Sequence, residues 1–186
     1  MDQARFLTGQ FLLAMPGMGD PRFEKAVIAM CVHDEGGALG IGLGRLVPRI
    51  GFHSLLGQLD IAPGAAPDVA IHLGGPVEPQ RGFILHSLDW GGEGSVQVAD
   101  RWGLTATLGI LCAIAEGKGP TRWVAALGYA GWGAGQLEQE MRGNGWFATP
   151  GGDSLLYDCG VESRWAAAFE SAGVDTRLLT SGFGTA

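Results

Sequence analysis

Residues Gly128 to Glu140 read G-Y-A-G-W-G-A-G-Q-L-E-Q-E, at the place where an apolar, strand-like run (Trp123–Leu127) gives way to an amphipathic helix (Gly135–Arg142). A strand, a sharp turn and a helix form the unit from which mixed α and β folds are built, so this stretch sets the fold class. Glycine has no Cβ and accepts positive φ, so Gly128, Gly131, Gly133 and Gly135 could let backbone N–H groups converge at a helix N-terminus. The same geometry can make nothing more than a tight turn. It is not a dinucleotide fingerprint, because Gln136 stands where G-x-G-x-x-G needs its last glycine. It is not a P-loop either, since no lysine and Ser/Thr follow the glycines. Glu138 and Glu140 would repel phosphate while complementing the helix dipole. The structural turn is the favoured reading, with Tyr129, Trp132 and Gln136 as the residues there that could touch a ligand.

Upstream of that junction the chain reads mostly as strands. Gln10–Met15 is a short apolar run stopped by the turn-rich Met15-Pro16-Gly17-Met18-Gly19, and Asp20-Pro21 then offers an N-cap with proline for one short helical turn. Ala26–Val32 reads as a buried strand, His33–Gly37 as a hairpin loop and Leu39–Leu43 as the return strand. Gly40, Gly42 and Gly44 alternate with Ile41 and Leu43, which leaves one face bare, for another backbone rather than for a ligand. Ser54–Leu59 is a short helix, Val69–Leu73 a strand, Gly74–Val77 a turn, Phe83–His86 a strand and Leu88–Gly94 a loop. Val96–Ala99 and Leu104–Thr105 are short strands. Thr107–Glu116 is a helix with Leu108, Leu111, Cys112 and Ala115 on one face, and Glu162–Ser171 a helix with Trp165, Ala168 and Phe169 inward. Early hairpins and one late parallel crossover predict α+β, or α/β, with a curled mixed sheet and helices outside, as one compact domain over residues 1–186.

Composition narrows the function. Hydrophobic residues at 46% with 17% charged make the chain globular rather than disordered. Glycine stands at 33 of 186 residues, well above the average near 7%, so many backbones must turn sharply or pack closely. A net charge of −7, with arginines scattered singly and only Lys25 and Lys118 as lysines, disfavours direct nucleic-acid binding. No run of eighteen apolar residues occurs, and M-D-Q-A-R-F lacks the layout of a signal peptide, so a cytoplasmic protein without membrane contact is expected. Cys31, Cys112 and Cys159 are too few and too widely spaced for a disulfide framework and read as free thiols. Six tryptophans, with Trp90 and Trp102 in poorly apolar surroundings, leave room for an exposed aromatic surface and hence a partner or a homodimer, although core tryptophans are the plainer reading.

Candidate chemistry is sparse. Cys31 and His33 lie two apart on a strand and so share a face, which suits an activated thiol, although a core cysteine beside a strand-end histidine is the plainer reading. His72 and His86 could meet if their strands pair, and Ser87, following His86, is a nucleophile candidate without a visible third member to orient the base. Gly74-Gly75-Pro76 with Arg81 could form an anion-binding concavity, against the plainer reading of a chain reversal. No hydrolase elbow, metalloprotease or calcium motif is present, no metal or cofactor is expected, and the balance leans away from an enzyme.

Three segments in order, Gly9–Val27 (G-Q-F-L-L-A-M-P-G-M-G-D-P-R-F-E-K-A-V), Gly74–Ser87 (G-G-P-V-E-P-Q-R-G-F-I-L-H-S) and Ala126–Glu138 (A-L-G-Y-A-G-W-G-A-G-Q-L-E), resemble the AlgH/YqgE family. The resemblance implies a bacterial cytoplasmic protein with one α/β domain around a wound mixed sheet. It also implies a role in regulating gene expression, with no settled catalytic activity. The family's recurring positions fall here on Met15, Pro16, Asp20, Gly74, Gly75, Pro76, Arg81, Trp132 and Gln136 among others, and bring no catalytic role; with Tyr129 these are the ligand-binding candidates, while Cys31, His33 and His86 are catalytic candidates on their own residue chemistry alone. The chain departs from the family at Gly42–Leu46, reading G-L-G-R-L where the family tends to V-L-N-R-P. Three functions follow: a regulator acting through a protein partner or small ligand, an enzyme or redox-responsive protein using Cys31 and His33, or a binder of an anionic, nucleotide-like ligand at the glycine turns.

Overall fold

The chain's computed structural model describes residues 6–17 and 20–181. Met18 and Gly19 of the first predicted loop, and residues 1–5 of the N-terminus, lie outside the described residues. Ten strands are joined in one sheet, in the order β10-β1-β2-β3-β9-β6-β8-β7, with β4 and β5 attached off that path. The strands are β1 (Phe11–Ala14), β2 (Val27–Asp34), β3 (Gly37–Gly42), β4 (Leu46–Gly51), β5 (Ala70–Leu73), β6 (Val77–His86), β7 (Val96–Val98), β8 (Trp102–Thr105), β9 (Trp123–Gly133) and β10 (Trp146–Thr149). The helices are α1 (Phe52–Gln58), α2 (Leu108–Ala115), α3 (Gln136–Arg142), α4 (Asp153–Tyr157), α5 (Arg164–Ser171) and α6 (Thr176–Ser181), plus a 3₁₀ turn at Pro21–Phe23. This is the expected α+β domain: a curled, almost wholly antiparallel sheet with helices packed on it. Among the described residues the single parallel pair is β5 with β9.

The hub is β9, and here the structure corrects the sequence reading. The apolar run does not stop at Leu127 but continues in strand to Gly133. Its first half lies between β6 and β5, with Ala126 opposite both Phe83 and His72. Its second half pairs with β3, from Gly40 opposite Ala130 to Gly37 opposite Gly133. The change of neighbour falls at Gly128, whose φ of 77° a residue with a Cβ rarely adopts. Glycine density therefore marks a strand crossed by other chain segments, not a loop.

Strand β2 runs two residues further than expected, so the hairpin loop shrinks to Glu35-Gly36, with Asp34 paired to Gly37. The Gly36 N–H donates to the Asp34 carboxylate at 2.8 Å, which closes so short a turn. Strands β4 and β10 and helices α4 and α6 have no counterpart in the sequence reading, because each is short and none alternates cleanly.

Three apolar clusters hold the layers. One seats α4 and α5, through Leu156, Trp165, Ala168 and Phe169, on the face formed by Phe11, Leu13, Ala29 and Ile41. A second packs α1 and α2 on β5 and the first half of β9. The third lies on the other face of β1 and β2, where Leu12, Ile28 and Met30 meet Trp132, Leu137 and Trp146. The expected inward face of α5 is correct; that of α2 holds at Leu111 and Ala115 but not at Leu108 and Cys112. Ile110, Leu111, Ile114 and Ala115 are buried there while Leu108 is 58% exposed. Nearly every position of L-G-I-L-C-A-I-A is apolar, so periodicity cannot select a face. Trp102, read as a possible surface residue, is fully buried, 5.4 Å from Phe11. Among the described residues no helix is long and apolar enough to cross a membrane.

Candidate functional site

The site is built on a crossing of two glycine pairs. After β5 the chain passes over β9 at Gly74-Gly75, where an added Cβ would collide with the backbone of Gly128 and Tyr129. The Gly74 N–H donates to the Leu127 carbonyl at 2.7 Å, and the Gly74 carbonyl accepts from the Gly42 N–H at 2.7 Å. The turn thus stitches β3 to β9. Gly42 and Gly44 face backbone as well, so the bare side of that strand serves close packing as expected. The Gly74-Gly75 turn does not gather a cation: Arg81 sits in the Glu78–Arg81 excursion of β6, paired with Glu78 and lying 5.2 Å from the Phe83 ring.

Two adjoining cavities open at this crossing and share Phe23, Pro76 and Ala130. One, of about 240 Å³, is walled mainly by aliphatic and glycine residues, Val27, Ile28, Gly42, Leu73, Gly74 and Pro79 among them. The Gly42–Leu46 departure from the family pattern falls in this wall through Gly42, Gly44 and Arg45. The other, of about 470 Å³, is polar and acidic, with Asp20, Gln136 and Glu140 beside Trp132 and Trp146. That volume lies within the range of small-molecule pockets. In it the Trp132 indole N–H donates to Glu140 Oε2 at 2.6 Å and the Trp146 indole N–H donates to the same oxygen at 3.2 Å. The two indoles meet edge to face at 6.0 Å, and Phe23 packs on Trp146 in the same manner at 5.7 Å. Gln136 Oε1 accepts the Gly133 N–H at 2.9 Å, closing the turn into α3.

Parts of all three segments that carry the resemblance come together here: Asp20 and Phe23 from the first, Gly74, Gly75 and Pro76 from the second, Trp132 and Gln136 from the third. Four candidates lie off the cleft. Met15 packs on the core, its N–H donating to the Gly145 carbonyl at 2.9 Å, and Pro16 is half-buried beside it. Tyr129 packs its ring on Phe83 at 5.9 Å, and Arg81 is turned to Glu78. Sequence reading missed Phe23, Glu140 and Trp146 as cleft residues. The signal it lacked is tertiary, since only the fold brings the strand β10 tryptophan against the helix α3 carboxylate.

The expected Cys31–His33 face is overturned. A bulge between Met30 and Val32 inserts one extra residue in β2, so the alternation changes phase. Cys31 joins the core under α4 and α5, whereas His33 turns to the other face and meets Glu138 of α3 at 2.8 Å through Nε2. His33 Nδ1 accepts the Leu7 N–H at 2.9 Å, which fixes Nε2–H as the donor to Glu138 in the neutral ring. Burial pushes the Cys31 thiol up to about 12, the opposite of an activated thiol. The two glutamates of the opening stretch therefore serve different partners: Glu138 holds His33 and Glu140 holds two indoles.

His72 and His86 do not meet, because their strands flank β9 on opposite sides. His86 is fully buried, with Nε2 at 2.8 Å from the Thr105 hydroxyl and Nδ1 at 2.8 Å from the Ser87 carbonyl. A carbonyl only accepts, so Nδ1 carries the proton and the ring is a satisfied core group. The Ser87 hydroxyl donates to Asp89 at 2.6 Å, and among the described residues it makes no hydrogen bond to an imidazole. His72 Nδ1 lies 3.2 Å from the Ala125 carbonyl and its Nε2 accepts from Arg164, a buried residue absent from the sequence reading.

A family model described as AlgH-like matches residues 11–177. A UPF0301 protein of Rhizorhabdus wittichii is 63% identical over 186 residues, covering all of both chains. Another, of Rhodospirillum rubrum, is 48% identical and covers 97% of this chain and 95% of its own. The solution structure of the AlgH protein from Pseudomonas aeruginosa superposes with a TM-score of 0.80 at 36% identity, over 97% of this chain and 96% of that one. A crystal structure of a protein from Corynebacterium diphtheriae shares the fold, with a TM-score of 0.73 at 21% identity over 88% and 86% of the two chains.

Proposed function

The chain belongs to the AlgH-like family, and we propose that it is a cytoplasmic regulatory protein that acts by recognising a small ligand or a protein partner at the two-lobed cleft, not by catalysis. The observation that carries this reading is the convergence of three distant, family-like segments on one cleft around Gly74–Pro76, Ala130–Gln136 and Asp20–Phe23. The competing readings lose support from the same geometry. A thiol buried among core side chains cannot meet a substrate, and the glycine turns face other backbones while the adjoining lobe carries carboxylates, which disfavours an anion or nucleotide. The charge of −7 argues against direct contact with DNA, so an effect on gene expression would pass through a partner or a second copy of the chain.

The test uses the indole N–H resonances of Trp132 and Trp146, which sit in the cleft and are hydrogen-bonded to Glu140. A metabolite screen followed by thermal shift and by these resonances should yield a ligand that moves both, with about 2.7 kcal/mol of stabilisation at 100 times its dissociation constant. Ligands that perturb only other regions would sink the cleft as the recognition site. A low-salt gel shift with tight, sequence-selective DNA binding by the isolated protein would sink the indirect route.

A further inference from the structure

The polar lobe contains a carboxylate that the fold does not neutralise. Glu140 Oε2 takes both indole N–H groups, and Oε1 has no hydrogen-bond partner among the described residues. Indoles are neutral donors, so they satisfy the oxygen without cancelling its charge. No described lysine, arginine or histidine lies within ion-pair distance of Glu140, and none is in the wall of this lobe. Asp20 adds a second carboxylate to the same wall. The rings of Phe23, Trp132 and Trp146 line the cavity beside them, and aromatic rings attract a cation and repel an anion. The apolar lobe adjoins this one, with Phe23, Pro76 and Ala130 in the walls of both. Arg45, in the wall of the apolar lobe, donates to the Pro21 carbonyl at 2.6 Å.

We infer that the cleft binds a small amphipathic organic cation, with its protonated amine or guanidinium against Glu140 and its hydrocarbon part in the apolar lobe beside Gly74–Pro76. The inference rests on the reading of this cleft as the recognition site and adds the ligand's chemistry. Three features act together. Glu140 Oε1 receives an N–H donor, the aromatic walls favour the positive charge, and Val27, Ile28 and Leu73 cover the tail. The protein's negative charge concentrates cations near the cleft and raises their rate of encounter.

Four probes separate the contributions: hexylammonium, hexan-1-ol, hexanoate and methylammonium, titrated into the full chain while the indole resonances of Trp132 and Trp146 are followed. Hexylammonium should shift both resonances and bind at least about tenfold more tightly than the alcohol or the carboxylate, the size expected of one charged hydrogen bond. Methylammonium should bind weakly, having no tail. Glu140→Gln should bring hexylammonium down to the level of hexan-1-ol and leave hexan-1-ol unchanged, and added salt should weaken the amine alone. Should Glu140→Gln disturb the fold, the salt dependence of hexylammonium against that of hexan-1-ol in the parent chain gives the same readout, and equal salt dependence overturns the cation. Equal binding of the three six-carbon probes overturns the cation while leaving the cleft standing. Hexylammonium that fails to bind, or binds with both indole resonances unmoved, overturns the inference too, and the metabolite screen then judges the cleft separately. Nα-acetyl-lysine methylamide binding as tightly as hexylammonium would move the source from a free amine to a protein side chain and overturn the small-molecule assignment.

Discussion

Gly74-Gly75 and Arg164 each fasten a remote part of the chain to the sheet, the first by having no side chain and the second by having a long charged one. At the glycine crossing, three backbones come together: β3 bonds to Gly74, Gly74 bonds to β9, and the space a Cβ would need is already filled by Gly128 and Tyr129. At Arg164 the guanidinium is 2% exposed and donates to the carbonyls of Leu43, Leu155, Leu156 and Cys159 and to His72 Nε2. A guanidinium has five N–H donors and these are five acceptors. No carboxylate is among them; carbonyl dipoles stabilise the buried charge instead. The contrast teaches that backbone polar groups can be satisfied either by direct approach, which demands glycine, or through one adaptable donor, which demands arginine. The first route leaves a cleft beside the crossing. The second seals α4 and α5 onto the sheet.

Breaking the second junction should have the largest effect. Arg164→Met keeps most of the volume but leaves four buried carbonyls and an imidazole nitrogen without a donor, a loss of about 3–5 kcal/mol measured by urea unfolding. Arg164→Lys, with three donors on a compact head, should fall between that variant and the parent. If Arg164→Met unfolds at the parent's urea midpoint, the junction is not what holds α5. The glycine crossing comes next. Gly128→Ala puts a methyl into the Gly75 carbonyl at a φ of 77°, which combines overpacking and strain at about 2–4 kcal/mol. Gly135→Ala is its control, with a φ of 74° and nothing within 4 Å of an added Cβ, so only the strain of about 1 kcal/mol remains. Equal losses in the two variants would show that conformation, not close approach, is what these glycines provide.

The two junctions also differ in their response to acid, because only one contains a titratable ring. Burial, and then the nearby Arg164 charge, lower the His72 pKa to about 4. The unfolded chain would take up that proton near 6.5. The neutral imidazole, accepting from Arg164, is therefore the folded form, and its contribution is full above about 6.5 and is lost as the pH falls towards 4. The size is about 2–3 kcal/mol over that window, in the same direction as the effect of buried His86. His72→Gln should flatten this part of the profile of unfolding free energy against pH. In Arg164→Met the pH dependence should shrink as well, since the neighbouring charge is gone. An unchanged slope in both variants would remove His72 from the junction.

Legibility in the sequence follows the same division. Glycine clusters are visible as letters, and they point correctly to the family, to the backbone packing at Gly42 and Gly44, and to the segments that meet at the cleft, whereas Gly40 makes room for the Ile28 and Met30 side chains. Their meaning was misread at Gly128–Gly133, because a glycine that lets a strand be crossed and one that ends a strand look alike without the crossing partner. The β2 bulge was invisible, since the strand gives no local sign of an inserted residue, and it alone separates Cys31 from His33. Arg164 was invisible for the opposite reason. One arginine at the start of an amphipathic helix reads as surface, and its five acceptors come from three separate stretches of chain plus His72. Glu140 was seen and assigned to the helix dipole, because the tryptophans that hold it are contributed by two strands.

The smallest effect gives the finest separation between packing and recognition. Gln136 is exposed at the start of α3, and its side chain does one visible thing, accepting the Gly133 N–H. That bond lies in water's reach, so Gln136→Ala should cost at most about 0.5–1 kcal/mol and leave the thermal midpoint almost unmoved. Its amide also lines the acidic lobe, with its own N–H donors and carbonyl next to Glu140. A residue kept only to close the turn would be replaced by alanine with no consequence for ligand binding. A residue that touches the ligand would weaken binding at unchanged stability, and titrating the same variant with hexylammonium reads the two apart: loss of affinity without loss of stability places Gln136 in recognition, and equal affinity confines it to the turn.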